Sequence, residues 1–286
     1  MKVSGFTFLR NAHLFGYPFV QSIKSILPIC DEFIVNVGEG EDDTLEKVKE
    51  IDDPRICIIQ NRWNENMRTK GYVYGQQKSI AHFNCTGDWA FYLEADEVVH
   101  ENDLPVIKSA MQKYLDDDGV EALVFDFVHF YGNKNTYIWS PGWYRRAPRI
   151  IKNSVPSCSP DGLFFIVMID KKHWRYPRAA SSGATIYHYG WIRNEDQMNL
   201  KFRKIGKYWN KINNEVNYTE IDAGILKTFK ESHPEVIKDW LPDAEGLYRT
   251  NPHHVLTLKE KKHRIGLFIE KIFTTDLSKK HFKLIK

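Results

Sequence analysis

Short apolar strands alternate with helix-spaced segments from the first residues onward, and this rhythm restricts the chain to few folds. Val3 to Leu9 reads as a strand holding Phe6, Phe8 and Leu9, ended by Arg10-Asn11-Ala12. Between Tyr17 and Leu27 the apolar residues Phe19, Val20, Ile23, Ile26 and Leu27 recur at helical spacing, and Pro28 closes the helix. Glu32 to Val37 reads as a second strand, Leu45 to Ile51 as a second helix, and Arg55 to Gln60 as a third, β-branched strand. A β-α-β-α-β order with short loops predicts a parallel sheet covered by helices.

Within that frame one stretch carries chemistry. Gly87-Asp88 is a turn signal, Trp89 to Leu93 has the length and composition of a buried strand, and Glu94, Asp96 and Glu97 follow at once. Open α/β sheets bind ligands beyond the carboxyl ends of their strands. Glu94 and Asp96 are two apart and share a face in extended backbone. Hard oxygen donors so placed suit Mg²⁺ or Mn²⁺, which leave room for substrate phosphates. The competing reading is an acidic loop that caps the next helix.

Gly38-x-Gly40 invites a dinucleotide reading, but Asp43 stands at the third glycine position. A pyrophosphate there would meet Glu39, Glu41, Asp42 and Asp43. Two readings stay open: acids that accept hydrogen bonds from a base or ribose, and a solvated turn whose acids favour the next helix N-terminus.

Asn61 to Gly75 reads as a polar loop near the site, and Gln76 to Phe83 as a helix holding Lys78. Leu104 to Leu115 is a further helix with Pro105 in its first turn, and Ala122 to Phe130 an apolar strand. From Tyr131 to Arg149 aromatic residues mix with Gly, Asn and Pro, a loop texture that suits sugar faces or ordinary packing. Arg149-Ile150-Ile151 is expected as a strand, Ser157 to Gly162 as a loop containing Asp161, Leu163 to Ile169 as a buried strand, and Thr185 to Trp191 as the last strand. His188 there reads either as a core histidine or as a ligand. Beyond Glu195, Met198, Phe202, Ile205, Tyr208 and Trp209 form one helical stripe, expected in the core.

Composition excludes several classes. A charged fraction of 27% and a net charge of +3 fit a folded soluble protein and give no case for nucleic acid. Cys30, Cys57, Cys85 and Cys158 lie far apart without a CxxC pair, so they are expected as reduced thiols. Arg10 and Asn11 interrupt any signal-peptide core, and Leu163 to Ile169 is too short to span a bilayer, so a cytoplasmic protein is expected. Residues 259–286 hold nine Lys/Arg against three Asp/Glu. Either this tail packs as a helix with a solvated basic face, or it makes peripheral contact with an anionic inner-membrane surface.

Taken in order, these segments resemble the family 2 glycosyltransferases. Phe8-Leu9-Arg10-Asn11 is similar to the first-strand end that carries an Asn near the nucleotide. Asp31 to Asn36 followed by Asp42-Asp43-Thr44 resembles the family's strand and acidic nucleotide loop. Gln77-Lys78-Ser79, Gly87-Asp88-Trp89 and Tyr92 to Glu97 resemble its basic residue, Gly-Asp and metal-binding DxD segment, and Arg145 to Ile151 its acceptor-side strand. His188-Tyr189-Gly190-Trp191 resembles the histidine segment that completes metal coordination. The match covers about residues 1–210.

The resemblance implies a GT-A-like three-layer α/β/α domain with a mostly parallel central sheet over 1–210, and a helical C-terminal extension over 211–286. It implies transfer of a sugar, with inversion, from a nucleotide-diphosphate sugar to a carbohydrate or lipid-linked acceptor. Mn²⁺ or Mg²⁺ would be held by Asp96, Glu94 and His188, and the nucleotide by Asn11, Asn36, Asp42, Lys78 and Glu94. The chain departs from the pattern in three places. Glu94 takes the first DxD position, Asn36 stands where Asp is common, and no Glu-Asp motif for the base precedes His188, which leaves Asp161 as the substitute. A non-catalytic sugar- or nucleotide-binding protein of the same fold, and a metal-dependent phosphohydrolase or nucleotidyltransferase, are the alternatives.

Overall fold

The computed structural model describes residues 1–209, 215–242 and 248–285. The first half alternates as the hydrophobic periods predict: β1 (Val3–Leu9), α1 (Phe19–Ile26), β2 (Glu32–Gly38), α2 (Thr44–Lys49), β3 (Ile56–Asn61), α3 (Tyr72–Phe83), β4 (Trp89–Tyr92), β5 (Glu97–Val99) and α4 (Leu104–Lys113). The second half is richer in strands: β6 (Ala122–Tyr131), β7 (Asn133–Ile138), β8 (Arg146–Lys152), β9 (Ser157–Cys158), β10 (Ile166–Met168), β11 (Trp174–Arg175) and β12 (Arg178–Trp191). After these come α5 (Glu195–Ile205), β13 (Leu226–Thr228), α6 (Leu258–Phe273) and β14 (Lys283–Leu284).

The main sheet is mixed, and the half built from β1 to β4 is parallel. β1 lies between β2 and β4, parallel to both, and β2 is parallel to β3. β8 then runs antiparallel between β4 and β6, and β12 lies parallel to β6 on its far side. Strand order therefore reverses about β1, and the carboxyl ends of β1 and β4 open a crevice there. One face buries Phe19, Ile23, Val48, Ile107 and Met111 from α1, α2 and α4 against Leu9, Phe33 and Phe91. The other buries Ala81 of α3 and Phe165 against Phe6, Tyr92 and Ile151. This is the layered arrangement expected of a GT-A-like fold.

Several elements differ from the sequence-based expectation. α3 starts at Tyr72, inside the expected loop, because its inward stripe is Val73, Gln77, Lys78 and Ala81, and two polar members hide the period. The expected loop after Tyr131 contains β7, which forms a hairpin with β6. The strand expected over Leu163–Ile169 shortens to β10, which pairs with β9 and β11 in a small second sheet, while Leu163 and Ile169 are exposed. β12 is not the last strand: β13 joins β7, and β14 joins β12. The expected boundary at 210/211 lies outside the described residues. All four cysteines are free thiols.

Candidate active site

A cleft of about 570 Å³ opens at the strand reversal, within the range of small-molecule sites. Leu9, Arg10 and Asn11 line it from the end of β1, and Tyr92, Glu94, Ala95 and Asp96 from the end of β4. Asp161 and His188 reach it from distant segments, and Lys201 to Trp209 form a further wall. Of the stripe expected in the core, Met198 and Tyr208 are buried and Phe202, Ile205 and Trp209 pack against core clusters, and all but Met198 also line the cleft.

Backbone pairing explains how Asp96 meets His188. β5 runs antiparallel to β12, with Glu97 opposite His188, and the Tyr189 N–H donates to the Asp96 carbonyl at 2.8 Å. The turn after β4 therefore delivers Asp96 beside the histidine. His188 Nε2 lies 3.5 Å from Asp96 Oδ1, and Arg193 Nη2 lies 3.5 Å from Oδ2. Burial alone would raise the Asp96 pKa. The charge of His188 outweighs it, with Lys201 and Arg193 adding to the effect, and the carboxyl titrates well below the usual range.

A hydrogen-bond chain sets the histidine tautomers. A carbonyl only accepts, so His129 Nε2–H donates to the Tyr144 carbonyl at 2.6 Å. Burial keeps His129 neutral by pushing its pKa well below the ordinary value. Its Nδ1 is then an acceptor, and His188 Nδ1–H, 2.9 Å away, donates to it. His188 Nε2 is left facing Asp96. Burial opposes a charged His188, but the Asp96 carboxylate prevails and raises its pKa above the ordinary histidine value. β12 and β6 pair His188 directly with His129, so register alone assembles the chain.

Asp96 and His188 form a donor pair that suits a divalent cation. Gly190 keeps the gap between them open: a Cβ there would lie 2.7 Å from His188 Nε2 and 2.9 Å from Asp96 Oδ2. An imidazole nitrogen oriented by a hydrogen bond on its other side is a common metal ligand. Glu94 does not join them. Its carboxylate turns to Arg149 Nη2 at 3.1 Å, while Arg149 Nε donates to Glu97 at 2.7 Å and Nη2 reaches the other Glu97 oxygen. Burial and the Glu97 charge push Glu94 up to about 7. Among the described residues no group of three His, Cys, Asp or Glu side chains is placed to hold a metal. Any cation here would complete its shell with diphosphate oxygens and water, as Mg²⁺ commonly does.

The other expected residues divide. Asp161 lines the cleft, accepts the Leu163 N–H at 3.0 Å, and titrates above an ordinary aspartate because of its burial. Asn11 lines it too, although its Oδ1 accepts the Glu41 N–H at 2.7 Å and pins the acidic loop. Gly40 leaves room for that contact, since a Cβ would lie 2.4 Å from the same oxygen, so close packing accounts for this glycine without a pyrophosphate. Three residues are not brought to the cleft. Asn36 donates to the Gln77 carbonyl at 2.9 Å and accepts from Asn61 within the core. Asp42 accepts the Leu14 and Thr44 N–H groups and fastens the loop after β1. Lys78 is fully buried, its ammonium 3.8 Å from the Tyr92 ring centre and 3.9 Å from that of Phe165, beneath the cleft floor. Burial, and then Arg149, drive its pKa far below the usual lysine value.

Sequence reading missed Arg149 as the partner of both glutamates, Arg193, His129, and the wall formed by Arg10, Trp63, Glu65 and Tyr208. Arg10 donates to Glu65 at 2.6 Å and stacks 5.3 Å over Trp63, and Tyr208 donates to Glu65 at 2.8 Å.

Residues 18–174 match the family model described as "Glycosyl transferase family 2". The chain belongs to this family. Among solved structures it is similar to S. aureus TarS 1-349 (15% identity, TM-score 0.36), covering 53% of this chain and 47% of that one. It is also similar to glucosyl-3-phosphoglycerate synthase from Mycobacterium tuberculosis in complex with Mg²⁺ and uridine diphosphate (18% identity, TM-score 0.31). There the match covers 46% of this chain and 43% of that one. The chain thus spans about half the length of these proteins. No curated protein matches it.

Proposed function

We propose that this family 2 member transfers a sugar from a nucleotide-diphosphate sugar to an acceptor hydroxyl, with inversion at the anomeric carbon. The observation that carries the reading is the convergence of Asp96 and the tautomer-fixed His188 on one open gap in the cleft. These two residues would hold Mn²⁺ or Mg²⁺, which supplies Lewis-acid neutralisation of charge on the leaving diphosphate. The chain's own side chains do the rest. Arg10, Trp63, Tyr74 and Tyr208 form an aromatic, cation-bearing recess suited to a base or ribose. Lys201 faces the same cleft and adds positive charge for the phosphates. Asp161 takes the acceptor proton, and its burial-raised pKa makes it a stronger base than an exposed aspartate.

The non-catalytic and phosphohydrolase alternatives are separated by one assay. The protein is incubated with Mn²⁺, a panel of nucleotide-diphosphate sugars and simple carbohydrate acceptors, and release of nucleoside diphosphate is followed. Transfer predicts diphosphate release with a new glycoside of inverted anomeric configuration, and Asp161→Asn should slow it at least about 100-fold while nucleotide binding persists. Release of the nucleoside monophosphate would indicate hydrolysis within the diphosphate. Absence of turnover with intact binding would indicate a binding protein.

A further inference from the structure

α6 is amphipathic in the reverse of the usual sense. A helix docked on a domain ordinarily turns its apolar stripe inward. Here Leu267 is the apolar residue that packs against the core, and the other inward contacts are polar or small. Glu270 pairs with Arg145 at 2.9 Å with both side chains buried, Arg264 holds Asp222 at 2.6 and 2.7 Å, and Gly266 lies against Pro141. A capping box of Thr257 and Glu260 starts the helix, and Glu260 also accepts the Asp222 N–H at 3.0 Å. The outward stripe is Leu258, Ile265, Phe268, Ile272 and Phe273, exposed by 78, 60, 64, 55 and 70%. Positions 265, 268 and 272 repeat at helical spacing, so the stripe is continuous over the C-terminal half of the helix, about 12 Å, and Lys261 and Lys262 stand on the same face between it and Leu258. Contiguous exposed apolar surface of this kind marks an interaction site.

Charge identifies the occupant. Both acids of α6, Glu260 and Glu270, are consumed by inward contacts. Among the described residues Lys259, Lys261, Lys262 and Lys271 make no ion pair, so the outward charge beside the stripe is basic. A second copy packed on this stripe about a two-fold axis would set the lysines against one another. We infer that α6 is an interfacial helix that seats the protein on an anionic membrane surface. Its apolar stripe enters the headgroup boundary while the lysines reach the lipid phosphates. The inner side of α6 grips Pro141 and Arg145, next to Tyr144, whose carbonyl holds His129. No helix among the described residues is long and apolar enough to cross a membrane, so the contact is one of lying on the surface.

The test needs no turnover, so it stands apart from the transfer reading. The full chain is co-sedimented with vesicles of phosphatidylcholine alone and of phosphatidylcholine mixed with phosphatidylglycerol. The protein should pellet with the mixed vesicles and stay in solution with the neutral ones. Lys261→Glu/Lys262→Glu should weaken partitioning at least about 30-fold, and Phe268→Ser/Ile272→Ser should abolish it. Circular dichroism should stay unchanged in both variants, because these side chains are exposed. Equal binding to both vesicle types, no binding, or variants that bind like the wild type would overturn the inference. So would a wild-type dimer in sedimentation velocity that Phe268→Ser/Ile272→Ser converts to monomer, since a second copy would then own the stripe.

Discussion

Replacing Arg149 with Met removes the only cation among the described residues that directly contacts Glu97, whose side chain is completely buried. Arg149 is itself 1% exposed and also reaches Glu94. Breaking a buried pair from one side costs about 3–5 kcal/mol, because a charge stays behind without a partner. Arg149→Met leaves two acids and belongs at the upper end, about 5 kcal/mol. Glu97→Gln leaves Arg149 with Glu94 still beside it, and belongs at the lower end, about 3 kcal/mol. The pH dependence has a definite sign. Glu94 titrates at about 7 in the folded protein, above the usual glutamate value. The native state therefore binds the extra proton, and stability falls as pH rises from the unfolded value to that point. Arg149 lowers the Glu94 pKa, so its loss extends the window upward. The gap between wild type and Arg149→Met should widen above pH ~7. Urea unfolding followed by tryptophan fluorescence on either side of neutrality measures this, and the melting temperature should drop by about 10 °C. A cost below about 1 kcal/mol, or a larger cost for Glu97→Gln than for Arg149→Met, would refute the assignment of Arg149 as the counter-charge of this cluster.

Other outcomes follow from the same geometry. His129→Phe removes the acceptor that orients His188, and should lower Mn²⁺ affinity roughly 10- to 100-fold in a paramagnetic titration; unchanged affinity would mean that His188 orients itself. Because a proton on His188 Nε2 excludes a cation, Mn²⁺ affinity should fall as pH drops through the raised His188 pKa, by about tenfold per pH unit below it, and a flat profile would remove His188 from the ligand set. Lys78→Met exchanges an amine without a hydrogen-bond partner for an apolar side chain of similar length. It should leave stability unchanged or increased by about 1 kcal/mol, with nucleotide affinity intact, whereas a large loss of affinity would restore Lys78 as a phosphate contact.

The strand–helix rhythm through Lys113 was readable because local burial imposes periods of two and of about 3.6 on neighbouring residues. The acidic turn after β4 was readable because strand ends and clustered carboxylates are both local signals. What escaped depends on register. His129 sits inside the apolar run of β6, and only the pairing of β6 with β12 shows that it touches His188. Arg193 is a lone arginine after β12 whose partner lies 97 residues away. The same limit applies to Asn36, Asp42 and Lys78, which lie outside the cleft lining. A polar residue amid apolar neighbours resembles a site residue, and sequence does not show whether its partner is a ligand or the protein's own backbone. In the tail the basic charge was visible, but the side of α6 that faces the domain was decided by Arg145 and Asp222, far earlier in the chain.

The central claim is that Asp96 and His188 together hold a cation that binds a nucleoside diphosphate. Calorimetric titration of uridine diphosphate into wild type and Asp96→Asn, each with Mn²⁺ and with chelator, tests it most directly. Asn preserves the shape and removes the charge, and circular dichroism checks that the fold is retained. The account predicts tight binding by the wild type with Mn²⁺, and at least about tenfold weaker binding in each of the other conditions. Equal affinity in all of them would contradict it and take the cation out of the cleft.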